Sequence, residues 1–339
     1  MKAIKKRTDM LCKKLLFIIF IFFIGNSFGQ KANEKPVSII FDSDIGPDYD
    51  DAGAITILHV LADKGEAKIL ATVASNKYEG IASVLNVFNT YFNRLQIPVG
   101  VPKGNAVDVR DSQHWTDTLL SKYPHKIKHN SEVPDAVELY RKVLAEQPDQ
   151  SVTIVTVGFL TNLANLLKTP GDQYSPLDGR SLIEKKVKRL VSMAGKFPEG
   201  KEFNIIKDAA SSKEALEAWP TPVIFSGFEI GEKIKTGLPL IHNNFIQNNP
   251  AKDVFSICIP MSPSDSAGRM SWDQTAVLVA VRGDKPFYKL HSGKIKIGED
   301  GTNSWDENGT GQYYLVEKQS PQKVQNMINH LMMELPKRR

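Results

Sequence analysis

The chain has 339 residues, of which 41% are hydrophobic, 24% charged and 9% aromatic, a globular composition that excludes disordered, collagenous and low-complexity proteins. Lys and Arg number 43 against 38 Asp and Glu, a formal charge of +5. Residues 1–29 hold six of those basic residues and one acid, Asp9, so residues 30–339 carry 37 of each and lack the basic footprint that nucleic-acid binding needs.

At the N-terminus, Lys2, Lys5, Lys6, Arg7, Lys13 and Lys14 precede an uncharged apolar run of eleven residues, 15–25, with small residues Ser27 and Gly29 beyond it. This is the pattern of a secretory signal peptide cleaved near Gly29. The run falls short of the roughly 20 residues of a membrane span. The expectation is therefore a secreted or periplasmic protein, without stable membrane insertion, whose residues 30–339 form a single α/β domain. Cys12 precedes the apolar run and cannot be a lipidated residue after a lipoprotein signal. Cys258 is then the one cysteine of the mature chain, which leaves no intrachain disulfide and no cysteine metal site.

Short apolar runs predict strands at 36–41, 67–74, 97–101, 151–157, 187–193 and 222–225. Apolar residues at helical spacing predict helices at 51–61, 81–95, 133–146, 160–167 and 209–218. Strands separated by helices imply right-handed crossovers and a mostly parallel open sheet with helices on both faces. Further on, a long helix is expected at 264–281, a hairpin at 287–290 and 293–297, a strand at 313–316 and a closing helix at 321–333. Residues 301–311 read as a polar surface loop with a packed Trp, Trp305. In parallel sheets ligands sit beyond the carboxyl ends of the strands, which directs attention to the residues after each strand.

The first strand ends in Asp42-Ser-Asp44-Ile-Gly-Pro-Asp48-Tyr-Asp50-Asp51, five carboxylates in ten residues. A helix cap accounts for Asp50 and Asp51. It does not account for Asp42 and Asp44, expected on one face at the end of a buried strand. Like charges held this close raise each other's pKa or require a cation. All-oxygen ligands suit Ca²⁺, with Mg²⁺ less favoured by so flexible a cluster.

Asp-x-Asp at the end of a first strand occurs in haloacid-dehalogenase-like phosphatases and in nucleoside hydrolases. Here the run closes with Asp50-Asp51-Ala52, as in the second group. Val152–Ala164, containing Gly158-Phe-Leu-Thr161-Asn162, resembles that family's Gly-Pro-Leu-Thr-Asn segment. Met193-Ala-Gly195 with Glu202-Phe-Asn204 and Asp208 resembles its Gly-Gly and Glu-Phe-Asn region. Trp272-Asp273-Gln-Thr-Ala276 resembles its late His-Asp-x-x-Ala helix. Four motifs in order over residues 37–281 identify the chain as similar to the inosine/uridine-preferring nucleoside hydrolases.

The resemblance implies a Ca²⁺-dependent hydrolase that cleaves the N-glycosidic bond of ribonucleosides to free base and ribose. It implies Ca²⁺ ligation by Asp44, Asp51, the Val157 carbonyl and Asp273, with Asp44 as general base. Asp50, Asn76, Glu202 and Asn204 would contact ribose, and Trp272 would stack on the base. A homodimer or homotetramer would follow the family's habit. The chain also departs from the pattern. The interval from Asp44 to Asp50 is two residues longer than usual and contains Asp48, so either Asp44 or Asp48 meets the metal. Ser75 replaces a Gly before Asn76, and Lys196 stands where a ribose-contacting Asn is common. Trp272 stands where some members carry a proton-donating His; His114, His242 and His291 have no spacing that marks a substitute. Asn162 reads as a structural turn residue. Two other readings stay open: a non-catalytic nucleoside- or sugar-binding protein that retains the metal pocket, and a phosphatase with Asp42 as nucleophile.

Overall fold

The computed structural model describes residues 35–337. The signal-peptide reading of residues 1–29 lies outside the described residues. Among the described residues there are twelve strands: β1 (Val37–Ser43), β2 (Ala67–Ala74), β3 (Val99–Gly100), β4 (Val152–Thr156), β5 (Val187–Ser192), β6 (Glu199–Lys201), β7 (Val223–Phe225), β8 (Lys235–Thr236), β9 (Arg269–Met270), β10 (Tyr288–Ile297), β11 (Thr302–Asp306) and β12 (Gln312–Glu317). Ten of them make one sheet in the order β3-β2-β1-β4-β5-β7-β12-β10-β11-β6. From β3 to β12 the neighbours are parallel; β10, β11 and β6 add an antiparallel edge.

Side-chain alternation along β1 divides the core. Ile39 and Phe41 pack on the face covered by the helices Asp50–Asp63, Ile81–Tyr91, Pro250–Met261, Trp272–Arg282 and Pro321–Met332. Ile40 packs on the other face, under the helices Ala136–Ala145, Thr161–Leu167, Gly179–Lys186 and Ala209–Ala218. Both faces of the parallel strands are thus buried, which is why they read as unbroken apolar runs rather than alternating ones. The chain leaves β1 for β2 and β3 on one side, then returns to build β4, β5 and β7 on the other. The crevice at the carboxyl ends of β1 and β4 is therefore the switch point of the sheet, where such folds bind ligands.

Several sequence expectations shift. The helix expected at 264–281 begins at Trp272. Before it, Gly268 takes a left-handed φ of +108° and Arg269–Met270 pairs with Lys235–Thr236, so the apolar spacing there belongs to a turn and a short strand. The hairpin expected at 287–297 is one continuous strand, β10. Gly293 is not a turn residue; a Cβ there would lie 2.1 Å from Trp305 Nε1, so glycine makes room for that ring. The supposed loop around Trp305 is strand β11, and Trp305 packs edge-on against Phe197 and Tyr314. The helix at 81–95 ends at Tyr91 and the strand at 97–101 shrinks to Val99–Gly100. The helix Pro250–Met261, flanked and interrupted by prolines, had no counterpart among the expected elements. Among the described residues no helix is long and apolar enough to cross a membrane.

Candidate active site

Parallel pairing brings the ends of three strands together. Asp42 lies opposite Val73 on β2 and Thr156 on β4, and the Val157 amide donates to the Asp42 carbonyl at 2.8 Å. The turn after β4 then touches the turn after β1: a Cβ on Gly158 would lie 2.3 Å from the Asp44 amide nitrogen and 2.5 Å from Ser75 Oγ. Only glycine permits that approach, which sets the Val157–Gly158 turn against the Asp44 backbone.

A cavity of about 240 Å³ opens at this point. Asp44, Asp48, Asp50, Asp51, Glu202 and Asp273 supply carboxylates to its wall, and Asn204, Val157 and Arg269 line it as well. Met193, Phe203, Phe228 and Trp272 form its apolar part. Asp51 lies in the first turn of the helix Asp50–Asp63, where Ser43 Oγ donates to its Oδ1 at 2.6 Å. Its Oδ2 and the Oδ2 of Asp44 are buried without a hydrogen-bond partner. Burial, reinforced by Asp51 and Asp48, raises the Asp44 carboxyl well above the ordinary carboxylate range. Asp51 is raised by burial and by Asp50, and Asp273 by burial and by Asp50, Asp51 and Asp44. A protein that buries several mutually repelling carboxyls must protonate them or pair them with a cation.

The donors fit a hard divalent cation: three carboxylates, two of them with orphaned buried oxygens, next to a backbone carbonyl. Among the described residues, however, no three acidic, His or Cys side chains already stand around a common metal position. The carboxylates would have to draw in around an ion to ligate it.

Arg269, which no sequence motif marks, decides the disposition of the remaining acids. Its Nη2 and Nε donate to Asp50 Oδ1 at 2.8 and 3.1 Å, and Nη2 also reaches Asp48. Asp50 Oδ2 accepts the amides of Trp272 and Asp273 at 3.2 and 3.3 Å, capping the helix Trp272–Arg282. Four donors fill the acceptor positions of Asp50, so it lines the cavity without a free oxygen for a sugar hydroxyl. Asp48 likewise pairs with Arg269 and leaves Asp44 as the acid beside the Val157 turn.

Asn76 is fully buried and absent from the cavity wall. Its amide nitrogen donates to the Val109 carbonyl at 2.6 Å and to the Asp44 carbonyl at 3.3 Å, while its oxygen accepts Val109 N–H. It braces the turn from behind instead of facing a ligand. Asp42 also points away from the cavity: its Oδ2 accepts Tyr140 Oη at 2.8 Å and Asn162 Nδ2 at 3.0 Å, and burial raises its pKa to about 7. The expectation that Asp42 and Asp44 share a face fails because β1 ends at Ser43: Asp42 keeps the parity of Ile40 and faces the opposite helix layer. Asn162, which also donates to the Ala74 carbonyl at 2.8 Å, is the structural residue expected.

Glu202 and Asn204 do reach the cavity. Glu202 caps the short helix Phe203–Lys207, accepting the amides of Asn204, Ile205 and Gly195 at 2.8, 3.3 and 3.2 Å; burial still pushes it up to about 7. Asn204 Nδ2 donates to the Met193 carbonyl at 3.2 Å and the Val157 carbonyl at 3.4 Å, bridging the ends of β4 and β5. Trp272 donates Nε1–H to the Phe228 carbonyl at 2.8 Å, and the two rings stand 5.2 Å apart, forming an aromatic wall. Lys196 is exposed, with its ammonium 5.2 Å from the Phe228 ring centre, outside the lining. His114, His242 and His291 are also absent from the wall. Phe228 was findable by inspecting residues after β7; Arg269 carried no local signal.

Residues 39–330 match the family described as inosine-uridine preferring nucleoside hydrolase. The chain is 27% identical over 222 residues to the pyrimidine-specific ribonucleoside hydrolase RihA of Photobacterium profundum, covering 64% of this chain and 68% of that protein. It is 26% identical over 203 residues to the RihA of a Shewanella species, covering 57% and 59%. Its fold matches the inosine-uridine preferring nucleoside hydrolase from Bacillus anthracis with a TM-score of 0.68 at 14% identity, over 88% of this chain and 99% of that one. The plant nucleoside hydrolase PpNRh1 gives 0.66 at 17% identity, again over 88% and 99%. With the family match spanning almost all of the described residues, this chain belongs to the inosine-uridine preferring nucleoside hydrolase family.

Proposed function

We propose that this nucleoside N-ribohydrolase is Ca²⁺-dependent, with Asp44 as the general base, and that its cavity holds ribose against the acids and the base against Trp272 and Phe228. The observation that carries this reading is the convergence of Asp44, Asp51, Asp273 and the Val157 carbonyl on one cavity at the switch point of the sheet. Asp44, Asp51, Asp273 and that carbonyl would hold the cation, which when bound supplies Lewis acidity toward a water and the sugar hydroxyls. Asp44 takes a proton from the attacking water. As oxygen bonds to C1′, the C1′–N bond breaks and its electron pair leaves with the base. Because that passage has oxocarbenium character, the surrounding carboxylates stabilise the developing positive charge. Glu202 and Asn204, fixed by backbone amides and carbonyls, orient the far side of the sugar. Trp272 and Phe228 offer aromatic faces to the base, and Trp272 cannot serve as a proton donor to it. Export by residues 1–29, giving a secreted or periplasmic enzyme, belongs to the same proposal.

The test is a reducing-sugar assay on residues 30–339 with inosine, adenosine, guanosine, uridine and cytidine, in Ca²⁺ and in chelator. Turnover lost in chelator and in Asp51→Ala is the expected result. Ca²⁺ binding without turnover on any nucleoside would instead favour a binding protein. Sequencing the N-terminus of the exported protein would place the cleavage site near Gly29 or refute it.

A further inference from the structure

Arg269 is 12% exposed and is sandwiched between two rings, with its guanidinium carbon 4.7 Å from the centre of Tyr49 and 5.0 Å from that of Trp272. Three acids surround it: Asp50, Asp48, and Asp265 at 3.7 Å, the last also accepting Tyr49 Oη at 2.6 Å. A guanidinium does not deprotonate in a protein, and its planar fork fixes carboxylates in place. Of the five aspartates in the cavity wall, two therefore have a permanent cation built into the chain. Asp44 and Asp51 each keep a buried oxygen with no partner.

We propose that Arg269 is a positioning residue that divides the cavity's aspartates into two sets. It keeps Asp48 and Asp50 for itself and, through Asp50, sets the start of the helix bearing Trp272 and Asp273. The second set, Asp44, Asp51 and Asp273, is left for the divalent cation. This rests on the metal-dependent reading of the site. Without Arg269, Asp48 and Asp50 become free anions beside the cation and a repelling positive charge disappears. Ca²⁺ sites tighten as ligand charge accumulates, so the site would gain affinity while losing the placement of its groups around the sugar. Arg269 thus limits Ca²⁺ affinity and preserves geometry.

The experiment is a Ca²⁺ titration by calorimetry on wild type, Arg269→Gln, Asp48→Asn and the double variant, paired with kcat and KM for a cleaved nucleoside. Arg269→Gln is expected to bind Ca²⁺ about tenfold more tightly, with kcat reduced more than KM is changed. Asp48→Asn alone should move Ca²⁺ affinity by no more than about twofold, whereas in the Arg269→Gln background it should remove most of the gain. Equal effects of Asp48→Asn in both backgrounds would overturn the division of acids, as would weaker Ca²⁺ binding by Arg269→Gln. Arg269→Lys keeps the charge without the fork: near-wild-type affinity with depressed kcat is expected, and full kcat would refute a positioning role. If Arg269→Gln does not fold, Arg269→Lys carries the test: near-wild-type Ca²⁺ affinity with depressed kcat supports the positioning role, and full kcat or a marked change in affinity overturns it. Failure of wild type itself to bind Ca²⁺ would sink the metal reading, separately from the role of Arg269.

Discussion

Gly158 shows how one residue without a side chain can set a site. It lets the turn after β4 press against the backbone of Asp44, and a methyl group there would sit 2.3 Å from a main-chain nitrogen that cannot step aside. Gly158→Ala is therefore expected to cost about 1–3 kcal/mol of stability and to reduce kcat/KM by more than about tenfold, since sub-ångström misplacement of reacting groups is expensive. Denaturant melts and steady-state kinetics would measure both, and an unchanged kcat/KM would remove Gly158 from this account. Asp44, Asp51, Asp273, Glu202, Asn204 and Trp272 were all legible in the sequence and all line the cavity. For Asp44, Asp51 and Asp273 that visibility has a physical source, since acids are costly next to apolar strands and helices unless they have a task; Glu202, Asn204 and Trp272 were visible through the resemblance to the family. Asn76 was equally visible, but its position beyond β2 does not reveal that Val109 consumes both ends of its amide.

At the scale of elements, the parity of β1 separates Asp42 from Asp44. Asp42 belongs to the layer containing Tyr140 and Asn162, and its role there is to accept their hydrogen bonds. Asp42→Ala would strand the buried Tyr140 hydroxyl and is expected to destabilise the fold by about 1–3 kcal/mol, while the folded variant keeps nucleoside turnover within about tenfold of wild type. Complete loss of turnover in a protein shown to be folded would reinstate Asp42 as a reacting group. The late helix gives the converse lesson. Periodicity alone suggested a start near residue 264, yet Asp50 accepts the amides of Trp272 and Asp273 and thereby helps fix where that helix begins. A cap contributed from 222 residues away leaves no trace in the local pattern.

At the scale of the whole molecule, two quantities report on assembly of the site and the core. Because folding builds the cation site and unfolding disperses it, Ca²⁺ at a hundred times its Kd should raise the unfolding free energy by about 2.7 kcal/mol; Asp51→Ala should lose this gain, and a calcium-independent melting curve for wild type would contradict the site. The second quantity is pH dependence. His59 is buried, stacked 4.8 Å from Phe92, with Nε2–H donating to Asn89 Oδ1 at 3.1 Å and Nδ1 accepting from Arg94 at 3.3 Å. Burial first, and the Arg94 charge second, lower its pKa to about 3. Between about 6.5 and that value the unfolded chain carries the imidazole proton and the folded chain does not. Stability must then fall as pH falls through this window, by about 1.4 kcal/mol per pH unit from this residue. His59→Gln should show a correspondingly shallower loss in urea melts from pH 6.5 to 4; equal slopes would mean that His59 is protonated in the native state.

What the sequence by itself determined is the class of sheet, the end of it at which chemistry takes place, and most of the acids and the Trp at that end. The sheet, its reactive end and the Asp42–Asp51 acids follow from short-range physics, namely apolar runs, helical spacing and carboxylates too close together to be left without a counter-charge; Glu202 and Trp272 were legible through the resemblance to the family. The tertiary structure alone decided which of those polar groups reach the cavity with an oxygen left for a ligand. Asp42 was drawn off by Tyr140 and Asn162, Asp48 and Asp50 by Arg269, and Asn76 by Val109, through contacts that join residues from 33 to 221 positions apart. Hydrogen bonds and ion pairs act over a few ångströms of space, and distance along the chain does not report that separation.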